Sequence, residues 1–227
     1  NAKRTMLIAQ KLYEGIDIGD ERVGLITYMR TDSVRLSDDF LKEAKKYIVK
    51  HYGEEYYKGY KVKAKKGQRI QDAHEAIRPT SLDRTPSKMK KYLSNDEFKI
   101  YSIIYNRALA SNMADTLVED TDVLVSAGEY KFACGGEIVL FDGFQRLYDE
   151  VLGDDQEILS GLPELSVDEV LEKQEIKSEQ KYTNPPYRYT EVRLIKKMED
   201  LGIGRPSTYA LTMETLRIRS YVTMDKR

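Results

Sequence analysis

The segment Gly24-Leu25-Ile26-Thr27-Tyr28-Met29-Arg30-Thr31-Asp32-Ser33 constrains this chain more than any other stretch of it. An apolar, strand-like run delivers a tyrosine directly against an arginine and a cluster of residues that favour turns and helix caps. That is how a phosphate-attacking tyrosine would be presented. A phenol with an ordinary pKa near ~10 is a poor nucleophile at neutral pH, so it needs a cation or base beside it to stabilise the phenolate and the charge of the transition state. Arg30 could supply that charge. The chain has 17 tyrosines, so the spacing Tyr-x-Arg alone does not separate chemistry from packing.

Two further segments do. His74-Glu75-Ala76-Ile77-Arg78-Pro79-Thr80 and Gly202-Ile203-Gly204-Arg205-Pro206-Ser207-Thr208-Tyr209-Ala210 follow in order. With the first decapeptide they resemble the three signatures of type IA DNA topoisomerases, and the resemblance runs from about Lys3 to Val222. Met29, following the tyrosine, is similar to the bacterial topoisomerase I branch; topoisomerase III enzymes usually carry proline there.

The 227 residues can hold one large domain or two to three small ones, and 41% hydrophobic with 33% charged residues is ordinary for a globular protein. No run approaches the ~18 apolar residues of a membrane helix. A single cysteine excludes an internal disulfide or a multi-thiolate zinc site, and is compatible with a reducing cytoplasm. Cys134 reads as a small packed strand residue. The chain opens with Asn1-Ala2-Lys3-Arg4 rather than methionine and stops at an extended segment, Tyr221 to Arg227, which suggests a piece of a longer protein. The formal net charge of −1 does not exclude a DNA partner, because phosphate responds to local fields. Lys58, Lys61, Lys63, Lys65, Lys66 and Arg69 form a run without an acid before His74, read either as a solvated loop or as a DNA-backbone contact. Residues 149–175 are strongly acidic.

Pattern predicts a multidomain α+β chain. Residues 1–113 form a mainly helical domain that holds Tyr28. Met6, Ala9, Leu12 and Tyr13 share a helix face that Gly15 ends, Val23 to Tyr28 is a strand, and Ser37 caps a helix bearing Phe40, Ala44, Tyr47, Ile48 and His51. Pro86 suits the first turn of a short helix, and Ser94-Asn95-Asp96-Glu97 is a capping box. Residues 114–182 form a β-rich segment in which Thr121–Val125, Tyr130–Cys134 and Glu137–Phe141 are strands, with turns at Ala127-Gly128-Glu129 and at Gly135-Gly136. Asp120 and Asp122 share a solvent face there. Residues 183–227 read as a helix-turn-helix or winged-helix segment: Thr190 caps a helix turning Val192, Ile195, Met198 and Leu201 to a core, and Pro206 opens the next helix.

At the candidate site, His74 can exchange a proton near neutral pH, whereas His51 reads as packing. Arg205, Ser207 and Thr208 would stand at a helix start, where free N–H groups favour a phosphate; the bland alternative is a cap and a solvated arginine. Asp32 is either an N-cap or a partner of Arg30. Arg78 either holds the imidazole or its loop, or makes a structural ion pair.

The resemblance implies Tyr28, Arg30 and His74 as catalytic residues and Arg205, Ser207, Thr208, Asp32 and Arg78 as DNA contacts. It implies an ATP-independent enzyme that cleaves one DNA strand through a 5′-phosphotyrosyl link, chiefly where the DNA is single-stranded, and relaxes negative supercoils. It places residues 114–182 in an arch around a central hole. It also implies Mg2+, held by an acidic cluster of a toprim-type domain that nothing in this chain resembles, as nothing resembles the zinc-ribbon cysteines of many bacterial relatives. The chain alone is therefore expected not to relax DNA. A cytoplasmic, nucleoid-associated and monomeric parent is implied, with self-association of the chain through surfaces left open around Tyr28 and Arg205. The competing readings are a topoisomerase III or reverse gyrase, and a DNA-binding module in which Tyr28 is buried packing.

Overall fold

The computed structural model of the chain describes residues 1–60, 74–148, 162–163 and 165–225. Most of the basic run (Lys61 to Arg69) and much of the acidic stretch (149–161) lie outside these residues. The chain divides into two compact units, Asn1–Ala114 with Tyr189–Arg227, and Asp115–Arg188.

In the first unit, α1 (Ala2–Glu14) begins where the Asn1 side chain accepts the Arg4 N–H and ends at Gly15, whose φ of 128° a side chain would resist. Ala9 and Leu12 are buried, but Tyr13 is 43% exposed and does not join the core face expected of it. The extended segment beyond Gly15 forms only a two-residue ladder, β1 (Ile16–Asp17) with β2 (Arg22–Val23). The expected strand Val23 to Tyr28 is not one ladder, because its backbone divides between two partners. Leu25 donates to the Leu12 carbonyl at the end of α1 (2.8 Å), and Ile26 then forms an antiparallel bridge with Pro79, flanked by Thr27 N to Arg78 O (2.9 Å) and Thr80 N to Leu25 O (3.0 Å).

Helix α2 (Asp38–His51) starts at Ser37, has Asp38 and Asp39 in its first turn, and buries Phe40, Ala44 and Ile48. His51 is exposed, with its ring stacked 4.1 Å from that of Tyr47. A short helix, α3 (Pro86–Met89), precedes α4 (Asn95–Ala110), which opens with both bonds of the capping box: Ser94 N–H to Glu97 Oε2 (2.8 Å) and Glu97 N–H to Ser94 Oγ (3.4 Å). Buried Tyr101 and Tyr105 of α4 donate to the Arg84 and Leu82 carbonyls, at 2.5 and 2.7 Å, so these two tyrosines are core pillars with a satisfied hydroxyl. Desolvation pushes both phenols above their ordinary pKa.

Helices α5 (Glu191–Asp200) and α6 (Tyr209–Ile218) belong to the same unit. Ala2 N–H reaches Glu191 Oε2 (3.0 Å) and Lys3 pairs with Glu214 (2.6 Å), which sets the helix pair against α1. Helix α5 ends in a Schellman motif: Ile203 N–H bonds to Met198 O (2.8 Å) and Gly202 N–H to Glu199 O (3.0 Å), with Gly202 at φ 70°. Only Met198 of the expected core face of α5 is buried, and Val192 and Leu201 are exposed. Two helices and a turn are thus present, but no strand follows α6 among the described residues, so the winged form has no support.

The second unit is a hairpin of β3 (Leu117–Ala127) and β4 (Tyr130–Phe141), closed at its base by Thr116 Oγ1 donating to Asp142 O (2.8 Å). Gly128, at φ 62°, is the first residue of a two-residue turn. Gly135-Gly136 is no turn: it lies inside β4 opposite Asp122 and Thr121, and a Cβ on Gly136 would meet Leu162 Cγ at 2.9 Å. The expected second and third strands are therefore one. Cys134 is exposed rather than packed, because among the described residues the two-stranded hairpin has no second sheet to bury it.

Two consequences are measurable. A Cβ on Gly24 would lie 2.5 Å from the Tyr13 carbonyl oxygen, so Gly24→Ala is expected to cost about 1–3 kcal/mol in denaturant unfolding; an unchanged midpoint would contradict this close approach. Glu97 links the capping box to α1 through Lys11 (2.5 Å). Burial alone would raise its pKa, but hydrogen bonds from Lys11 and Ser94 and the Lys11 charge outweigh it and hold the carboxyl below its ordinary 4.5. A depressed pKa stabilises the fold above the ordinary value and is lost as pH falls through the depressed one, so Glu97→Gln should flatten the stability curve below about pH 4.5 and leave its shape at neutral pH intact.

Candidate active site

The bridge between residues 25–27 and 78–80 brings the first two sequence motifs together. Thr27 does so with its side chain as well: its hydroxyl donates to Ala76 O (2.7 Å) and accepts from Arg78 N–H (2.9 Å). Tyr28 follows immediately, at the point where the chain leaves the core, and its side chain is at the surface, 36% exposed. The His74 ring stands 5.5 Å from the Tyr28 ring, tilted by 47°, and the Tyr13 ring stands 5.4 Å away at 69°. Met29, next in sequence, turns inward and is buried.

The two arginines of these motifs behave differently. Arg30 is exposed, and among the described residues its guanidinium makes one long contact, 3.5 Å, to Gln10 Oε1 on α1; Gln10 in turn donates to Glu14 at 2.6 Å. Arg78 is held on all sides. Its Nε donates to Glu75 Oε2 (2.8 Å), one terminal nitrogen donates to Pro79 O (3.0 Å) and the other to Ser37 Oγ (3.2 Å), and its guanidinium lies 4.8 Å from the centre of the Phe40 ring. Of the two readings left open for Arg78, the geometry is that of the structural ion pair. It ties the second motif to the cap of α2. Ser37 is consequently both a helix cap and an acceptor for Arg78, a double use the sequence did not signal.

Asp32 fits neither role expected of it. No helix begins until Asp38, and Arg30 turns to Gln10 instead. Thr31 and Ser33 are turn residues, accepting the Ser33 and Arg35 backbone N–H at 3.0 and 3.2 Å. The Arg35 carbonyl accepts from Ala76 N–H (2.7 Å), and Tyr60 donates its hydroxyl to the Val34 carbonyl. The loop after Tyr28 is thereby fastened to both flanks of the segment leading into His74.

The third motif is near Asp32. The Tyr209 phenol is pushed up first by burial, then by the carboxylates of Glu199 and Asp32, with Arg205 opposing them. The start of α6 differs from expectation. Helix begins at Tyr209 rather than Pro206, because residues 205–208 form a turn in which Thr208 and Tyr209 both donate to Arg205 O, at 2.8 and 3.1 Å. Thr208 Oγ1 accepts the Arg205 N–H (2.9 Å), and Arg205 folds back so that one terminal nitrogen donates to Gly204 O (2.8 Å). Ser207 is exposed, and its hydroxyl makes no hydrogen bond among the described residues. Nor do the described residues contain a group of three or more His, Cys, Asp or Glu side chains able to hold a metal ion, and no described helix is long and apolar enough to cross a membrane.

Sequence reasoning missed Tyr13 and Gln10 of α1. The available signal was position: both lie in the last turns before the glycine that reverses the chain toward Tyr28. The contrast between the arginines makes a prediction. Arg78→Ala should cost about 1–3 kcal/mol by leaving a half-buried Glu75 carboxylate and a Ser37 hydroxyl without their partner, whereas Arg30→Ala should stay within about 0.5 kcal/mol of wild type. Equal losses in denaturant unfolding would contradict the assigned roles.

A family model described as DNA topoisomerase matches residues 1–227. Among solved structures, the full-length topoisomerase I of Thermotoga maritima is similar at 38% sequence identity and a TM-score of 0.78, over 99% of this chain and 36% of that one. The chain thus spans about a third of the length of that structure. With the first two motifs meeting at one exposed tyrosine and the family match running end to end, the chain belongs to the bacterial type IA DNA topoisomerase family.

Proposed function

We propose that this chain carries the nucleophile of an ATP-independent topoisomerase that relaxes negative supercoils by tyrosine transesterification. The observation that carries the reading is the placement of Tyr28, exposed at the end of a backbone-locked segment with the His74 imidazole beside its ring. The Tyr28 oxygen attacks the scissile phosphorus and loses its proton, the 3′ oxygen leaves and takes one up, and the phosphate stays joined to the tyrosine at the new 5′ end. After another strand has passed, the 3′ hydroxyl re-attacks and releases the phenol. One ester replaces another, so no nucleotide is hydrolysed.

Arg30 supplies charge at the phosphoryl oxygens. Its exposure and its single long contact leave it able to turn to a phosphate at little cost. His74, an imidazole that exchanges protons near neutral pH, orients or protonates groups at the cleaved diester. Arg205, Ser207 and Thr208 contact the DNA backbone; Arg205 and Thr208 would exchange their mutual turn bonds for phosphate contacts, and Ser207 is already open. Asp32 is taken as a further DNA contact, and Arg78 acts through the loop it holds. DNA, single-stranded at the cleaved position, is the partner, and the compartment is the cytoplasm. The fragment can self-associate where partner surfaces are open.

The family resemblance implies Mg2+, but the described residues do not offer a carboxylate cluster for it, and no step above passes through the ion. On this reading the ion is held by a toprim-type domain, which nothing in this chain resembles.

Two outcomes test the reading. In the full-length protein, a single-stranded oligonucleotide labelled at its 3′ end should transfer its label to wild type and not to Tyr28→Phe after a denaturing quench. Label on the phenylalanine variant would put the covalent bond on another residue, and label on neither protein would leave a DNA-binding module as the better account. The isolated chain with Mg2+ should leave supercoiled plasmid unrelaxed, and relaxation by it would contradict the division of labour proposed here.

A further inference from the structure

We infer that Tyr13 is a positioning residue for the nucleophile: its ring, set in the last turn of α1, braces the Tyr28 ring edge-on and keeps the phenol oxygen aimed at the phosphate. The inference rests on the reading of Tyr28 as nucleophile and extends it to a residue outside all three motifs.

Tyr28 has few restraints of its own. Its backbone is locked through Thr27, but its side chain is 36% exposed, and its hydroxyl makes no hydrogen bond to a described residue. Among the described residues, two aromatic rings flank it: Tyr13 at 5.4 Å in edge geometry, and His74 at 5.5 Å. A nucleophile whose oxygen must stay free for phosphorus cannot be oriented through that oxygen. Contacts to the ring are the means that remain.

Tyr13 is built to act this way. The carbonyls of Leu12 and Tyr13 meet the incoming strand: Leu12 O accepts from Leu25 N–H at 2.8 Å, and Tyr13 O lies 2.5 Å from where a Cβ of Gly24 would be. The brace and the element that carries Tyr28 are therefore clamped to each other by backbone, three to four residues from the tyrosine. Tyr13 is also 43% exposed, with its helix neighbours Leu12 and Ala9 doing the core packing, so an aromatic ring there is not needed to fill the interior. An edge-to-face pair holds a ring by about a factor of 2 to 10 in population, which for a positioned nucleophile appears directly in the rate of the chemical step.

The test measures single-turnover formation of the covalent adduct by the full-length protein, alongside equilibrium affinity for the same oligonucleotide. Tyr13→Leu, which keeps apolar volume without a ring, should slow adduct formation by about 2- to 10-fold, with affinity within about 2-fold of wild type, and Tyr13→Phe should restore the rate. Tyr13→Leu cleaving at the wild-type rate overturns the inference. So does Tyr13→Phe as slow as Tyr13→Leu, since the hydroxyl would then be the active group, and so does a loss of affinity that accounts for the rate, since Tyr13 would then be a DNA contact. Adduct formation by Tyr28→Phe in the same assay would instead remove the nucleophile reading itself, and the two failures are read from different variants.

Discussion

The short bridge between Ile26 and Pro79, with its flanking bonds from Thr27 to Arg78 and from Thr80 to Leu25, is the constraint on which the site depends. It is small: each backbone bond contributes about 0.5–1.5 kcal/mol net. Its effect is nonetheless decisive for geometry, because it joins two motifs separated by roughly fifty residues of chain. Everything else reinforces it. Leu25 fastens the same segment to α1, Thr27 adds a side-chain bond in each direction, and Arg78 anchors the other strand to Ser37 and Phe40 of the second helix. The Tyr28 side chain can then remain at the surface while the backbone beneath it is fixed.

That division explains how two arginines in adjacent motifs come to opposite uses. Arg78 meets a carboxylate, a carbonyl, a hydroxyl and an aromatic face at once, which is where a planar, five-donor guanidinium outperforms lysine. Its charge is neutralised within the protein and is poorly placed to serve DNA as well. Arg30 is nearly unspent, at 3.5 Å from a neutral amide oxygen. On the proposed reading, one arginine holds the site together and the other is left to meet the phosphate.

Local signals made much of the fold legible. The capping box at Ser94, the cap at Ser37 and the prolyl start at Pro86 each require only a few neighbouring residues, and each forms as read. Failures came where a residue's role depends on something distant in sequence. Gly135-Gly136 has the composition of a turn, but in β4 it makes room for Leu162. Val23 to Tyr28 has the composition of a strand, but its partners are a helix end and a proline-containing loop. At the site, the identity of Tyr28, Arg30 and His74 as candidates came from the motifs. The distinction between Arg30 and Arg78 and the contact from Tyr13 exist only once the helices have packed.

The central claim is that one particular tyrosine among the 17 in this chain takes the phosphate. The most direct measurement is to trap the adduct of the full-length protein with a short oligonucleotide, digest it with trypsin and locate the nucleotide by fragmentation mass spectrometry. The account predicts the added mass on Tyr28 within the peptide Val23 to Arg30. Nucleotide attached to any other tyrosine, Tyr13 and Tyr209 included, would contradict it.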